Sequence, residues 1–90
     1  MHEFSMVQAL YHQVEEIARK HEAKKVVRIV VEVGRRSGMK PEFFKEAFVT
    51  FQETVPVLKD ADLEIRSLDQ DAELILRDVE LEISEEAQLG

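Results

Sequence analysis

The sequence predicts an α+β fold, a two-layer domain in which two helices pack on one face of a three-stranded sheet. Two segments carry apolar residues at helical spacing, and three others carry them in alternation, as strands do. A chain of 90 residues is long enough for one domain with a small core. We therefore expect a single domain over residues 1–83, in the order helix, strand, helix, strand, strand, and a flexible tail over residues 84–90.

The first helix is predicted from a start signal and an apolar stripe. Ser5 and Gln8 have the spacing of a capping box, in which each side chain satisfies a backbone N–H group of the first turn. This pair predicts a helix that begins near Met6 and fades over residues 21–23. Its stripe, with spacings of three and four, comprises Val7, Leu10, Val14 and Ile17.

Three strands are predicted from apolar residues that alternate with polar ones. The first extends over residues 26–33, and its core face is expected to comprise Val27, Ile29, Val31 and Val33. The second lies around Ala61, Leu63 and Ile65. The third covers about residues 73–83 and changes parity near Arg77 or Asp78, which predicts a β-bulge at that point.

The second helix follows a loop with the sequence "GRRSGMKP". Gly34 and Gly38 permit positive φ, and Pro41 suits the first turn of a helix. Four of the five phenylalanines come next at helical spacing. We expect this stripe to pack in the core, because a small domain needs its bulk, although an aromatic stripe also suits a ligand pocket. The stripe comprises Phe43, Phe44, Ala47, Phe48 and Phe51.

The composition excludes several classes of function. The sequence contains no cysteine, which excludes disulfides, thiolate zinc sites and cysteine nucleophiles. A formal net charge of −7 argues against nucleic acid as a partner, because phosphate recognition needs a basic surface. The sequence has neither an apolar run long enough for a bilayer nor a signal-peptide pattern. We therefore expect no membrane association and a cytoplasmic location.

No arrangement of residues predicts catalysis, so we expect that the protein is not an enzyme. His12 has no partner at a spacing typical of a nucleophile and its base. His21 falls at a predicted helix end, where a cation interacts favourably with the helix dipole. The segment "GRRSG" lacks the lysine and the spacing of a phosphate-binding loop.

The first three residues provide nitrogen donors for a metal ion. The α-amine of Met1, the backbone amide nitrogen of His2 and the Nδ1 atom of its imidazole lie in covalent series. An ion that displaces the amide proton closes two chelate rings at once, and this planar arrangement suits Ni²⁺ or Cu²⁺ better than tetrahedral Zn²⁺. Glu3 can fill a fourth position through its backbone amide nitrogen or its carboxylate. The alternative is an incidental histidine, because position two is histidine by chance in some proteins.

Four stretches of the sequence resemble the HypA/HybF family of hydrogenase maturation proteins. They are "MHEFSMVQAL", "RIVVEVG", "KPEFFKEAF" and "ELILRDVELEI", and the resemblance covers nearly the whole chain. It implies a nickel metallochaperone that holds Ni²⁺ at Met1, His2 and Glu3, with His2 essential. It also implies delivery to the large subunit of nickel-iron hydrogenase, and in some bacteria to urease, in cooperation with the nickel-handling GTPase HypB.

The sequence departs from this family at one place. Family members carry a zinc-binding module with C-x-x-C motifs between the last two strands, whereas here that link is short and cysteine is absent. We expect the splice between residues 67 and 72, and therefore no bound zinc. If the last two strands are antiparallel neighbours, the link closes a hairpin. If they are not, the short link favours strain or a domain-swapped homodimer, with a monomer as the alternative.

Two functions remain open from the sequence. The first is a nickel carrier that uses the three terminal residues. The second is a metal-free interaction module, because residues 51–90 contain twelve Asp and Glu but only three Lys and Arg and would attract a basic partner. Sequence alone does not separate nickel from copper, since Cu²⁺ binds the same donors more tightly.

Overall fold

The computed structural model describes residues 2–35, 40–71 and 74–83, with side chains from Ser5 onward. Within these ranges the chain forms two helices and a mixed three-stranded sheet. The elements are α1 (His2–Lys20), β1 (Ala23–Val33), α2 (Pro41–Thr54), a 3₁₀ turn (Pro56–Leu58), β2 (Asp62–Ser67) and β3 (Leu74–Ile83). The predicted α+β fold is confirmed. The predicted tail over residues 84–90 lies outside the described residues.

β1 is the central strand of the sheet, and the strand order is β2-β1-β3. β2 runs parallel to β1, so that Leu63 lies beside Ile29. β3 runs antiparallel on the other side, so that Val79 also lies beside Ile29. The hairpin alternative for the last two strands is therefore wrong, because β1 separates them.

The link between β2 and β3 passes across the C-terminal end of β1. The N–H group of Leu68 donates to the carbonyl oxygen of Val33 at 2.9 Å, and the N–H group of Arg35 donates to the carbonyl oxygen of Gln70 at 3.1 Å. The link must cover two strand spacings, about 10 Å. Residues 68–73 can extend to about 20 Å. The link is therefore long enough for β3 to pair with β1 of its own chain, and domain exchange stays a prediction.

Burial along β1 departs from the predicted alternation at its start. Val26 is 0% exposed and belongs to the core, whereas Val27 is half-buried. Val26 pairs with Leu81 of β3, and the next paired residue is Arg28, so Val27 is an extra residue in the strand. The prediction that placed Val27 on the core face is therefore wrong. From residue 29 onward the predicted face is confirmed.

The predicted β-bulge in β3 is confirmed. Val30 pairs with Asp78 and Val31 pairs with Leu76, which leaves Arg77 as the extra residue. Because the bulge shifts the parity of the strand, the apolar residues before and after it pack on the same core.

α1 begins four residues earlier than predicted, at His2 instead of Met6. Ser5 therefore lies inside the helix and is not its N-cap. The segment before Ser5 contains neither glycine nor proline, so nothing in it opposes helical extension. After Lys20 the chain turns through Glu22, which has a positive φ of 54°.

The core lies between the two helices and β1. The ring of Tyr11 on α1 packs against those of Phe44, Phe48 and Phe51 on α2, with centroid distances of 5.7, 5.3 and 4.9 Å. The predicted core role of the aromatic stripe is confirmed except for Phe43, which is 37% exposed. Among the described residues, neither helix combines the length and the apolar character needed to cross a membrane.

Candidate metal centre

The predicted metal site falls at the first turn of α1. Met1 lies outside the described residues, and for His2 and Glu3 the structure describes the backbone alone. His2 and Glu3 are the first two residues of the helix. The first four N–H groups of an α-helix have no acceptor within the helix, so neither amide is engaged in a helical hydrogen bond. Met1, His2 and Glu3 as a common ligand set stay a prediction.

Helical geometry bears on which atoms of His2 and Glu3 can bind one ion. Two successive backbone nitrogens chelate an ion when the ψ angle between them is close to zero, and a helical residue has ψ of about −42°. The helix start therefore holds the nitrogens of His2 and Glu3 on the same side of the chain. The helix N-terminus disfavours a bare cation, but loss of amide protons on binding adds negative charge that offsets this effect.

The remainder of α1 anchors this turn to the domain. Val7 and Val14 are completely buried, and Tyr11 is 1% exposed. Together they lie on the helix face that packs against α2 and the sheet. The candidate site is thus attached to a fixed scaffold one helical turn away.

An apolar groove adjoins the first turns of α1. It has a volume of about 230 Å³ and is lined by Met6, Ala9, Leu10, Gln13 and Leu74. Leu74 is the first residue of β3 and pairs with Val33, the last residue of β1. The start of α1 and the β2–β3 link therefore lie at the same end of the domain. The groove is not apparent from the sequence, because the residues of its two walls are about sixty positions apart in the chain.

The other histidines are distant from the candidate site. His12 and His21 are both exposed. A rise of 1.5 Å per residue places His12 about 15 Å from His2 along the helix axis, which is too far to share an ion. Over residues 2–35, 40–71 and 74–83, the structure contains no group of three or more His, Cys, Asp or Glu side chains that could hold a metal.

The face of the sheet opposite the helices carries ion pairs that join its strands. The guanidinium of Arg28 on β1 contacts Glu64 on β2, and it lies 3.6 Å from the carboxylate of Glu80 on β3. Arg66 on β2 also contacts Glu64. These half-exposed pairs tie both edge strands to the centre, and we assign them a structural role.

Sequence comparisons place the chain among nickel-handling proteins. The HypA family model, described as hydrogenase/urease nickel incorporation, metallochaperone, matches residues 1–75. The hydrogenase/urease maturation factor HypA of Helicobacter pylori is 45% identical over 78 residues, which cover 87% of this chain and 65% of the relative. The hydrogenase maturation factor HypA of Aquifex aeolicus is 44% identical over 69 residues, covering 76% and 60%. The chain thus spans less than two thirds of the length of these relatives.

Solved structures show the same fold. The solution structure of the Ni metallochaperone HypA from Helicobacter pylori matches with a TM-score of 0.79 and 29% identity, covering 91% of this chain and 98% of that chain. A second solution structure of a HypA protein matches with a TM-score of 0.73 and 31% identity, covering 90% and 96%. Absence of the family's zinc module is consistent with the lack of cysteine. On the family match and the shared fold, the chain belongs to the HypA family of hydrogenase/urease nickel-incorporation metallochaperones.

Proposed function

We propose that this protein carries Ni²⁺ for the maturation of nickel-iron hydrogenase and, in organisms that have it, of urease. The ion is held by the α-amine of Met1, the amide nitrogen and imidazole of His2, and Glu3. The observation that carries this proposal is the start of α1 at His2, which leaves the amides of His2 and Glu3 outside the helical hydrogen-bond ladder, in a chain of the HypA family.

Loading and release follow from the chemistry of these donors. The α-amine has an ordinary pKa of about 7.7–8.0, far below that of a lysine amine, so it loses its proton to a metal readily. Binding displaces protons from the amine and from at least one amide, and protonation of these nitrogens releases the ion. The exchange involves the first turn of α1 and leaves the core untouched. A carrier needs this property, because it must give up its cargo while folded.

The partners follow from family membership and belong to the same proposal. The large subunit of hydrogenase receives the ion, and the GTPase HypB cooperates in its handling. The protein acts as a carrier and not as a catalyst. A cytoplasmic location stays a prediction.

Nickel titration of untagged protein tests the proposed site. Isothermal titration calorimetry compares the wild-type chain with a chain that carries glycine and serine before Met1. The extension converts the α-amine into an amide, so we expect loss of the planar nickel spectrum and at least a hundredfold loss of affinity. Circular dichroism should show an unchanged fold. Equal affinity in the extended chain would overturn the proposed ligand set.

Two variants separate the proposed site from other histidines. His2→Ala removes the imidazole, and we expect it to lose nickel as the extended chain does. The double variant His12→Ala with His21→Ala is the matched control, because it removes two exposed histidines elsewhere and should keep the wild-type affinity. If the control loses nickel and His2→Ala retains it, the ion binds at the other histidines and the proposed ligand set is wrong. If the wild-type chain binds no nickel, the metal-free interaction module becomes the better description.

A further inference from the structure

The core of the domain is incompletely covered along β3. On the central strand, Val26, Ile29 and Val31 are each 0% exposed. The apolar residues of β3 that face the same core are all only half-buried, namely Leu74, Leu76, Val79 and Leu81. The groove beside Met6 and Leu10 lies on this side of the molecule. An apolar strip thus runs between α1 and β3.

β3 is also an edge strand. Among the described residues, β1 is the only strand that pairs with it, so the outer edge of its ten residues is available for hydrogen bonding. On this strand the N–H group of Val79 donates to Oδ1 of the neighbouring Asp78 at 3.0 Å. An unpaired edge beside an apolar strip is the arrangement that extended peptides recognise when they add a strand to a sheet.

Charge on β3 indicates what kind of strand fits this edge. The side of β3 away from the helices presents Asp78, Glu80 and Glu82, and all three are exposed. Glu80 lies 3.6 Å from Arg28, which also contacts Glu64 of β2. The other edge strand is better neutralised, because its Glu64 is contacted by two arginines. β3 carries three acidic residues and one basic residue, Arg77, whereas β2 carries two acidic residues and one basic. Lys25 and Arg28 of β1 lie opposite Glu82 and Glu80, so β3 is partly compensated but remains the more negative edge.

We propose that β3 binds an extended, basic segment of a partner protein by strand addition. The segment pairs with the free edge of β3, places its apolar side chains in the strip beneath α1, and places alternate lysine or arginine side chains against Asp78, Glu80 and Glu82. The end of the partner segment that pairs near Leu74 would lie beside Met6, which is one turn from the start of α1. The interaction uses no metal ligand, so it stands or falls independently of nickel binding.

A second copy of this chain is a poor occupant of the same edge. In an antiparallel β3–β3 pair that continues the sheet, Asp78, Glu80 and Glu82 of one copy face the same three residues of the other. Like charges directly opposite each other destabilise a strand pair. Edge charges and a bulge also protect edge strands against self-association. The same features admit a segment of opposite charge.

The test uses a labelled synthetic peptide of about nine residues in which lysine and valine alternate, a length typical of a strand. Fluorescence anisotropy measures its binding to nickel-free wild-type protein. Two control peptides have the same length: one carries N-methyl groups on the backbone nitrogens of one valine and the adjacent lysine, so it loses a backbone donor on each edge while keeping its charge. The other replaces every lysine by glutamate. We expect each control to bind at least tenfold more weakly.

A matched pair of protein variants locates the contact. Asp78→Lys with Glu82→Lys reverses two charges on β3, whereas Asp60→Lys with Asp62→Lys reverses two near the opposite edge. Both change the net charge equally, so general attraction alone affects them alike. We expect at least a tenfold loss of affinity in the β3 variant alone. Amide shifts in wild-type protein provide a readout that needs no variant, and they should map to β3 and Met6.

Three results would overturn the proposal. Equal binding of the N-methylated peptide would mean charge attraction without strand pairing. Amide shifts confined to β2 or α2 would place the contact elsewhere. Concentration-dependent shifts of β3 without peptide, with a mass above 10.4 kDa in light scattering, would make a second copy the occupant. The N-terminally extended chain should bind the peptide as the wild type does, so failure of nickel binding and failure of this proposal are distinguishable.

Discussion

The first turn of α1 and the turns that follow it depend on different parts of the chain. The proposed ligands in the first turn are neighbours in sequence, and their donor atoms are linked by covalent bonds. Val7, Tyr11 and Val14 pack against α2 and the sheet, which come from distant parts of the sequence. The difference teaches that the proposed metal site is local in sequence, whereas the packing that holds the fold is not. Each can therefore be altered without the other.

Removal of a buried ring from the packed core should cause the largest loss of stability. Phe44 is 0% exposed and its ring packs edge-on against Tyr11. We expect Phe44→Ala to lower the free energy of unfolding by about 3–5 kcal/mol, because it removes apolar contacts and leaves a cavity. Urea denaturation followed by circular dichroism measures this loss. His2→Ala is the control, and an equal loss there would mean that the two regions are not separable.

Nickel binding at the proposed site should depend on pH. Below the α-amine pKa of about 7.7–8.0, nickel must displace at least the amine proton and one amide proton. The nickel affinity should then fall by about a hundredfold between pH 7 and pH 6, since each displaced proton contributes a factor of ten per pH unit. Calorimetry in two buffers measures both affinity and proton release. An affinity that does not change with pH would contradict amide coordination.

The buried Tyr11 should make the stability of the fold depend on pH in alkaline solution. Burial raises the pKa of Tyr11 above its ordinary value of 10.0. Below pH 10 both states keep the proton; above it the unfolded state loses the proton first, so stability falls as pH rises. The slope should approach about 1.4 kcal/mol per pH unit. Thermal melts should show a shallower decline in Tyr11→Phe.

Tyr11→Phe also has a consequence at neutral pH. The hydroxyl of Tyr11 has no hydrogen-bond partner among the described residues, and a buried polar group without a partner costs stability. We expect the variant to be at least as stable as the wild type and to bind nickel equally. A loss above about 1 kcal/mol would reveal a partner for the hydroxyl.

The smallest expected effect concerns the turn between α1 and β1. Glu22 has a φ of 54°, a conformation that costs a residue with a Cβ atom about 1–2 kcal/mol and costs glycine little. We expect Glu22→Gly to raise the free energy of unfolding by about 0.5–1 kcal/mol. Lys24→Gly is the matched control on β1 and should lower it, because glycine weakens a strand. Destabilisation by both would contradict this account of the turn.

The sequence was informative where one local pattern sufficed. The bulge at Arg77 was predictable because the apolar residues around it change parity. The extra residue at Val27 was not, because Val26 and Val27 are identical side chains and either fits the core face. The predicted start of α1 was too late, because the spacing of a capping box is common in sequences and does not by itself fix where a helix begins. Pairing with β3 decided the outcome at Val27, whereas the absence of a helix-breaking residue before Ser5 allowed the helix to start earlier.

Arrangement in space was the part that sequence could not provide. The order of β2, β1 and β3 is set by pairing between distant segments, and the groove between Met6 and Leu74 exists only because of that order. The proposed ligands Met1, His2 and Glu3 were accessible to sequence reasoning because their chemistry depends on covalent connection alone.

The two ends of the β2–β3 link have a practical consequence. Ser67 and Leu74 both pair with Val33, on opposite sides of it, so their backbones are about 10 Å apart. A foreign domain whose own ends are similarly close can be grafted between them without forcing the flanking strands apart. A fluorescent protein placed there would sit at the same end of the molecule as the start of α1, where an optical signal would report on the proposed nickel ligands.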